Sequence, residues 1–123
     1  MVDLRSQYLA IQDQIDRGLT EVIENTAFIN GPAVKAFARA NGLNRIVMRG
    51  GDKPTLGIVA AGKAYLDVRQ ALDDLGIDEV RAAKLGIRLL KIGMVWPLED
   101  AAVKDFAKGL ATIIVVEEKR ALI

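Results

Sequence analysis

Apolar side chains recur at steps of three and four residues in the first part of the chain. The recurring positions are Tyr8, Ile11, Ile15, Leu19 and Val22, and the positions opposite them are polar. This spacing predicts an amphipathic helix of about six turns that begins after Asp3, a good capping residue, and ends near Asn25. Because such a stripe is rarely exposed on a monomer, we expect it to pack on the sheet predicted below or on a partner chain.

Short apolar runs alternate with amphipathic stretches in the rest of the chain. They predict strands at 45–49, 55–60, 87–92 and 112–116, and helices at 33–40, from Gly62 to Gly76, at 78–85 and from Pro97 onward. In the helix after Gly62 the inward side is Tyr65, Val68, Leu72 and Leu75, and in the last helix it is Ala102, Phe106 and Leu110. Glu99 and Asp100 are favourably placed near the positive end of that last helix.

The alternation of strands and helices is typical of an α/β domain with parallel strand pairs. The last strand, 112–116, contains an uninterrupted run of isoleucine and valine. Such a run predicts a strand that is buried on both faces.

The composition excludes several classes of function but does not identify one. The 123 residues include no cysteine and no histidine, which excludes disulfides, thiolate and imidazole catalysis and most metal sites. A net charge of +1 gives no electrostatic reason to expect nucleic acid. No apolar run is long enough to cross a membrane and no secretory signal is evident, so a cytoplasmic protein is expected.

One strand-to-helix turn is a candidate anion site. Gly62 and Lys63 follow a strand and open a helix, where backbone N–H groups and a lysine charge can hold a phosphate. The glycine spacing matches neither the Walker nor the dinucleotide-binding motif, so a tight structural turn is the favoured alternative.

Other polar and aromatic residues follow the predicted strands without forming a catalytic set. Glu117 and Glu118 are adjacent and face opposite sides of an extended chain, which favours capping and salt bridges with Lys119 or Arg120 over paired acid–base chemistry. Trp96 follows Gly93 at a strand end, where it lines a ligand crevice or, as we favour, packs against a neighbouring domain. We therefore predict no catalytic and no metal-binding residues.

The segments 45–49, 56–69, 91–99 and 115–120 closely resemble the alpha subunit of indolepyruvate ferredoxin oxidoreductase, in its domain similar to the carboxyl-terminal domain of transketolase. The resemblance implies a three-layer fold around a mixed sheet ordered 1-3-2-4-5, with an antiparallel first strand. The chain stops before the family's fifth strand, so an incomplete sheet of about four strands is expected. Its last strand, Thr112–Val116, is then an unpaired edge that favours a homodimer.

The start of the chain has a different resemblance. Residues 2–8 and 26–34 resemble the opening of DegT-family pyridoxal-phosphate nucleotide-sugar aminotransferases. The chain is therefore interpreted as a chimera, engineered, naturally fused or misjoined, with a helical segment at 1–40 and a truncated α/β domain at 41–123.

Neither resemblance implies a complete enzyme. The segments that bind thiamine diphosphate, iron–sulfur clusters and pyridoxal phosphate lie outside the matched parts, so no cofactor is expected in this chain. The sequence predicts a module without catalysis of its own that contacts other domains of a 2-oxoacid oxidoreductase. The alternatives are a fragment of a working oxidoreductase and a phosphate- or nucleotide-binding module that uses Gly62.

Overall fold

The computed structural model describes residues 3–25, 31–118 and 123. The chain divides into two compact units, Met1–Pro32 and Ala33–Ile123. Residues 33–40, which the sequence interpretation grouped with the amino-terminal segment, belong to the second unit.

The first unit contains a single long helix among its described residues, α1 (Leu4–Glu24). The Asp3 carboxylate caps it by accepting from the backbone N–H groups of Arg5 and Ser6, each at 3.1 Å. Both the cap and the predicted bounds are thus confirmed. No residue of α1 is buried, and the expected packing of its apolar stripe stays a prediction.

The second unit alternates helices and strands in the order that the sequence predicts. Its elements are α2 (Pro32–Ala40), β1 (Arg45–Met48), β2 (Leu56–Ala61), α3 (Gly62–Asp74), α4 (Glu79–Leu85), β3 (Ile87–Ile92), α5 (Asp100–Ala107) and β4 (Thr112–Val116). Gly86 ends α4 in the left-handed conformation, with φ of 71°, which glycine adopts without steric cost.

The four strands form one mixed sheet in the order β1-β3-β2-β4. Strand β1 is antiparallel to β3, whereas β2 is parallel to both β3 and β4. The predicted order, the antiparallel edge and the central position of β2 are all confirmed. The fold is therefore α/β with a mixed open sheet.

The two faces of the sheet carry separate apolar clusters. Helices α3 and α4 cover one face, where Leu72 and Ala82 pack with Leu89 of β3. Helix α5 covers the other face, where Phe106 packs with Val59 and Leu90. Gly57 of β2 permits this second contact, because a Cβ atom there would lie 2.7 Å from the Phe106 ring. The inward position predicted for Phe106 is confirmed.

The prediction that the last strand is buried on both faces is wrong. Ile113, Ile114 and Val115 are 42–46% exposed. Strand β4 lies at the edge of the sheet and pairs with β2 alone among the described strands. The exposed apolar run therefore marks an open edge of the sheet.

Two helix predictions also need correction. Helix α5 begins at Asp100 rather than Pro97, because the Glu99 side chain supplies the amino-terminal cap. Leu75 is 64% exposed, since it is the residue at which α3 ends rather than part of its inward side.

Candidate functional site at the carboxyl edge of the sheet

A cleft of about 600 Å³ opens where the parallel strands β2, β3 and β4 end. In open α/β sheets, ligands bind in the crevice outside the carboxyl ends of the strands. We call it the carboxyl-edge cleft, and it is lined by Ala61, Gly62, Lys63, Ala64, Ile92, Gly93, Val95, Val116, Glu117 and Glu118. Most of its wall is aliphatic, with charged groups at two places.

The start of α3 forms one of these polar places, and it contains both residues of the predicted anion site. Gly62 is the first residue of α3 and has φ of 52°. A Cβ atom on Gly62 would meet nothing within 4 Å. The glycine is therefore required by the backbone conformation of this turn rather than by close approach of another group.

The charge of Lys63 is already compensated within the chain. Its Nζ atom donates to the Asp67 carboxylate at 2.7 Å, one turn along α3. This hydrogen bond raises the pKa of Lys63, and the negative charge of Glu118 raises it further. Lys63 is thus a stable cation that faces two carboxylates.

The second polar place is the pair of carboxylates that follows β4. The Glu117 side chain accepts a hydrogen bond from the backbone N–H of Ile123 at 3.0 Å. Lys119 and Arg120, the cations predicted to pair with these carboxylates, lie outside the described residues. Both glutamates line the same cleft as Lys63. The net charge of these three side chains therefore does not favour binding of a multiply charged anion.

Asn44, which directly precedes β1, holds the loop after β3 at the same edge of the sheet. The Asn44 Oδ1 atom accepts from the backbone N–H groups of Gly93 and Met94, at 3.0 and 3.1 Å. Its Nδ2 atom is buried without a hydrogen-bond partner in the described structure. Trp96 in this loop is 63% exposed and is not part of the cleft lining.

The most buried charged residue lies away from the cleft, at the start of α5. Glu99 is 1% exposed, and its carboxylate accepts from Ala101 N, Ala102 N and the guanidinium of Arg39 in α2. The hydrogen bond from Arg39 is the main cause of a lowered pKa for Glu99. Glu99 therefore has a structural role: it caps α5 and forms an ion pair with Arg39.

The described residues offer neither a cluster of metal-binding side chains nor a membrane-spanning helix. No group of three or more acidic, cysteine or histidine side chains is arranged to hold a metal ion in the part of the chain that the structure describes. Within that same part, no helix combines the length and the apolar character needed to cross a membrane.

The sequence found some of these residues and missed others. Gly62, Lys63, Gly93, Glu117 and Glu118, singled out on different strands, all lie along one cleft. Asp67 and Asn44 were missed. The spacing of four residues between Lys63 and Asp67 on a helix was a readable signal, whereas Asn44 acts on a loop distant in sequence and left no local pattern.

A mixed sheet with helices on both faces and a cleft at the ends of its parallel strands defines an open α/β domain. The sequence model of the indolepyruvate oxidoreductase domain matches residues 46–123. The chain therefore belongs to the indolepyruvate oxidoreductase domain family, as the resemblance of its α/β part implied.

Curated relatives agree with this assignment. The indolepyruvate oxidoreductase subunit IorA of Methanothermobacter thermautotrophicus is 38% identical over 76 residues, which are 62% of this chain and 11% of that protein. IorA of Methanothermobacter marburgensis is 34% identical over 85 residues, 69% of this chain and 12% of that protein. IorA of Pyrococcus horikoshii is 34% identical over 71 residues, 58% of this chain and 10% of that protein.

The chain thus spans about a tenth of the length of the curated relatives that it matches. No solved structure matches it significantly.

Proposed function

We propose that this chain is a non-catalytic α/β module of an indolepyruvate oxidoreductase subunit and acts through contacts with other protein domains. The open edge formed by β4 is the observation that carries this proposal. Aliphatic side chains project from both of its faces and are nearly half exposed. Exposed apolar surface of this kind is characteristic of interaction sites. The exposed Trp96 offers a second apolar contact.

The chemistry of the cleft supports a role without turnover. Its lysine is hydrogen-bonded to Asp67, and Glu117 is hydrogen-bonded to a backbone N–H. The chain has no histidine or cysteine to serve as a general base or thiolate nucleophile near neutral pH. We therefore expect the cytoplasmic parent enzyme to locate its cofactors in other segments.

A direct test measures turnover and cofactor binding by the purified chain. Indolepyruvate with ferredoxin should give no reaction, and titration with thiamine diphosphate plus magnesium, or with pyridoxal phosphate, should show no saturable site. Oxidation of indolepyruvate or micromolar binding of either cofactor would contradict the proposal.

For the isolated chain, we propose that a second copy occupies the edge formed by β4. Ile114 is aligned with Ile58 on one face, and Val115 with Val59 on the other. A two-fold axis beside β4 would pair it with β4 of the second copy in antiparallel orientation and continue the sheet. This pairing would satisfy the backbone groups on the outer side of β4, which have no strand partner in the described sheet.

The homodimer is tested with one charge at the edge and one control charge elsewhere. Ile114→Lys should lower the mass measured by light scattering relative to the wild-type chain, because a lysine in the strand opposes edge pairing. Leu66→Lys is the matched control, since Leu66 is 62% exposed on α3, away from the ladder. A monomeric wild-type mass at high protein concentration would exclude edge pairing.

A second candidate function is phosphate binding at Gly62 and Lys63. It is favoured by the position of both residues in the carboxyl-edge cleft, at the start of α3. Calorimetric titration with ADP and with inorganic phosphate tests it, comparing Lys63→Ala with Lys84→Ala on α4. Saturable binding that Lys63→Ala alone abolishes would establish the site, and the absence of saturable binding by the wild-type chain would exclude it.

We also propose that residues 1–40 come from an aminotransferase-like source, as the DegT resemblance implies. The family match beginning at residue 46 is compatible with this origin. Sequencing the DNA that flanks the coding region tests it. An oxidoreductase reading frame that continues upstream of residue 46 in the source genome would exclude a chimera, and one that continues after Ile123 would identify a fragment.

A further inference from the structure

A heptad repeat on α1 overlaps the apolar stripe predicted from the sequence, but it includes Leu4 and Gly18 and leaves out Leu19. Leu4, Tyr8, Ile11, Ile15 and Val22 are separated by four or three residues, and Gly18 occupies the position between Ile15 and Val22. We call these six positions the α1 stripe. Its apolar side chains are 38–72% exposed. A repeat of this kind is the pattern by which two helices pack side by side.

Gly18 has no explanation within its own chain. It lies inside a 21-residue helix, where glycine costs about 1 kcal/mol relative to alanine. Its backbone conformation is not one that demands glycine, and a Cβ atom there would meet nothing within 4 Å. The gap at Gly18 is therefore open space on the apolar side of the helix.

We propose that α1 packs against α1 of a second copy in antiparallel orientation, with Tyr8 of each helix over Gly18 of the other. The first and fourth heptad positions of antiparallel helices face each other across the contact. This alignment also places Leu4 opposite Val22 of the second copy, and Ile11 opposite Ile15 of the second copy. The largest side chain of the stripe thereby fills the gap at its smallest residue.

The same stripe fits poorly in parallel orientation. Equivalent positions would then face each other, so that two Tyr8 rings meet in one layer and two Gly18 residues leave a void in another. Voids and overpacked layers both destabilise a contact. The antiparallel arrangement avoids both defects.

The residues beside the stripe are compatible with antiparallel self-pairing. Gln12 and Gln14 flank its centre on opposite sides, and each faces its own counterpart across the two-fold axis. Neutral amides in these places bring no like charges together. Arg5 lies beside Leu19 of the second copy, where its aliphatic stem can cover an otherwise exposed leucine.

Engineered disulfides test the orientation directly because the chain contains no cysteine. Leu4→Cys and Val22→Cys chains are mixed in urea, refolded together and equilibrated in a glutathione buffer. The proposal predicts that disulfides between the two different variants dominate. Ser6→Cys mixed with Thr20→Cys is the control. These two residues also lie opposite each other in the proposed register, but on the outward side of α1.

Every outcome of this mixture is decisive. Disulfides between identical variants would indicate parallel helices and overturn the proposal. Mixed disulfides no more abundant than in the control pair would show that the stripe is covered by something other than a second α1.

Exchanging the two residues tests the contact between Tyr8 and Gly18. Tyr8→Gly and Gly18→Tyr should each weaken dimerisation by about tenfold or more, since every dimer contains the affected layer twice. The double variant has the wild-type composition and should restore most of the affinity measured by sedimentation. Additive losses in the double variant would refute the contact. All of these chains carry Ile114→Lys, so that pairing through β4 does not contribute to the affinity that sedimentation measures.

Discussion

The guanidinium of Arg39 in α2 donates a hydrogen bond to the carboxylate of Glu99, which caps the amino terminus of α5. Beside it, Lys35 of α2 and Lys104 of α5 both pair with Asp100, each at 3.1 Å. These contacts tie α2 to the α/β core, although α2 precedes the segment that the family model matches. The compact unit therefore extends beyond the matched residues.

Loss of the Arg39 charge should destabilise the second unit. Arg39→Met keeps an aliphatic stem but leaves Glu99 with only its backbone donors, so the free energy of unfolding should fall measurably. Because the Arg39 side chain is 64% exposed, solvent screening should keep this loss modest. Urea unfolding measures the change. Lys35→Met, which removes a more exposed pair, should cost about 1 kcal/mol or less.

Glu99 should also make the free energy of unfolding depend on pH in the acidic range. Its folded pKa is lowered, chiefly by Arg39, so its stabilising contribution is complete above the unfolded pKa of about 4.3 and is lost as the pH falls toward the folded value. Glu99→Gln should flatten the stability curve below about pH 4.3. Asp105→Asn is the comparison, because Lys108 lowers the Asp105 pKa at a solvent-screened site. An equal change of slope in both variants would contradict a special role for Glu99.

Periodicity predicted most of the fold because each element has a local signal. The apolar stripe and the Asp3 cap predicted the bounds of α1, and glycine or proline separated the later strands and helices. The exposure of β4 could not be predicted from its sequence. An apolar run indicates that its side chains favour burial, but not whether other parts of this chain bury them. Its neighbours in the sheet, rather than its own residues, decide its burial.

The close fit of α5 on the sheet makes a second stability prediction. A Cβ atom at Gly57 would lie 2.5 Å from Leu110 Cδ1 and 2.7 Å from Phe106 Cζ. Gly57→Ala should therefore destabilise the unit by about 1–3 kcal/mol through overpacking. Adding Phe106→Leu should recover part of this loss, because a smaller side chain relieves the contact. Destabilisation that is purely additive in the double variant would argue against steric conflict as the cause.

The candidate site was less predictable than the fold. Residue types placed Gly62 and Lys63 at a strand end, but charge compensation by Asp67 and the shared cleft with Glu118 depend on three-dimensional proximity. The sequence predicted a favourable position for Glu99 near the positive end of a helix but not its role as the cap. Its pairing with Arg39 joins residues far apart in sequence. Long-range pairs leave no local periodicity to detect.

Asn44 allows a test of how the β3 loop is held. Asn44→Ala would leave the backbone N–H groups of Gly93 and Met94 without their acceptor. Because Gly93 is exposed and Met94 half-buried, the loss should be that of ordinary hydrogen bonds, about 0.5–1.5 kcal/mol each. Hydrogen exchange at these two amides should become faster. Asn41→Ala is the control, because the Asn41 side chain bonds only within its own helix end, to Phe37 O. Equal protection in both variants would show that other contacts position the loop.

The α1 stripe yields the last prediction, which holds whatever surface covers it. Ile15→Asp places a charge at the centre of the stripe, and burial of an isoleucine is worth roughly 1.5–3 kcal/mol. The midpoint of the α1 helical signal in thermal unfolding should therefore fall sharply. Thr20→Asp adds the same charge on the outward side and should change the midpoint little. An unchanged midpoint in Ile15→Asp would mean that the stripe is not buried against any partner, and would remove the basis for helix pairing as well.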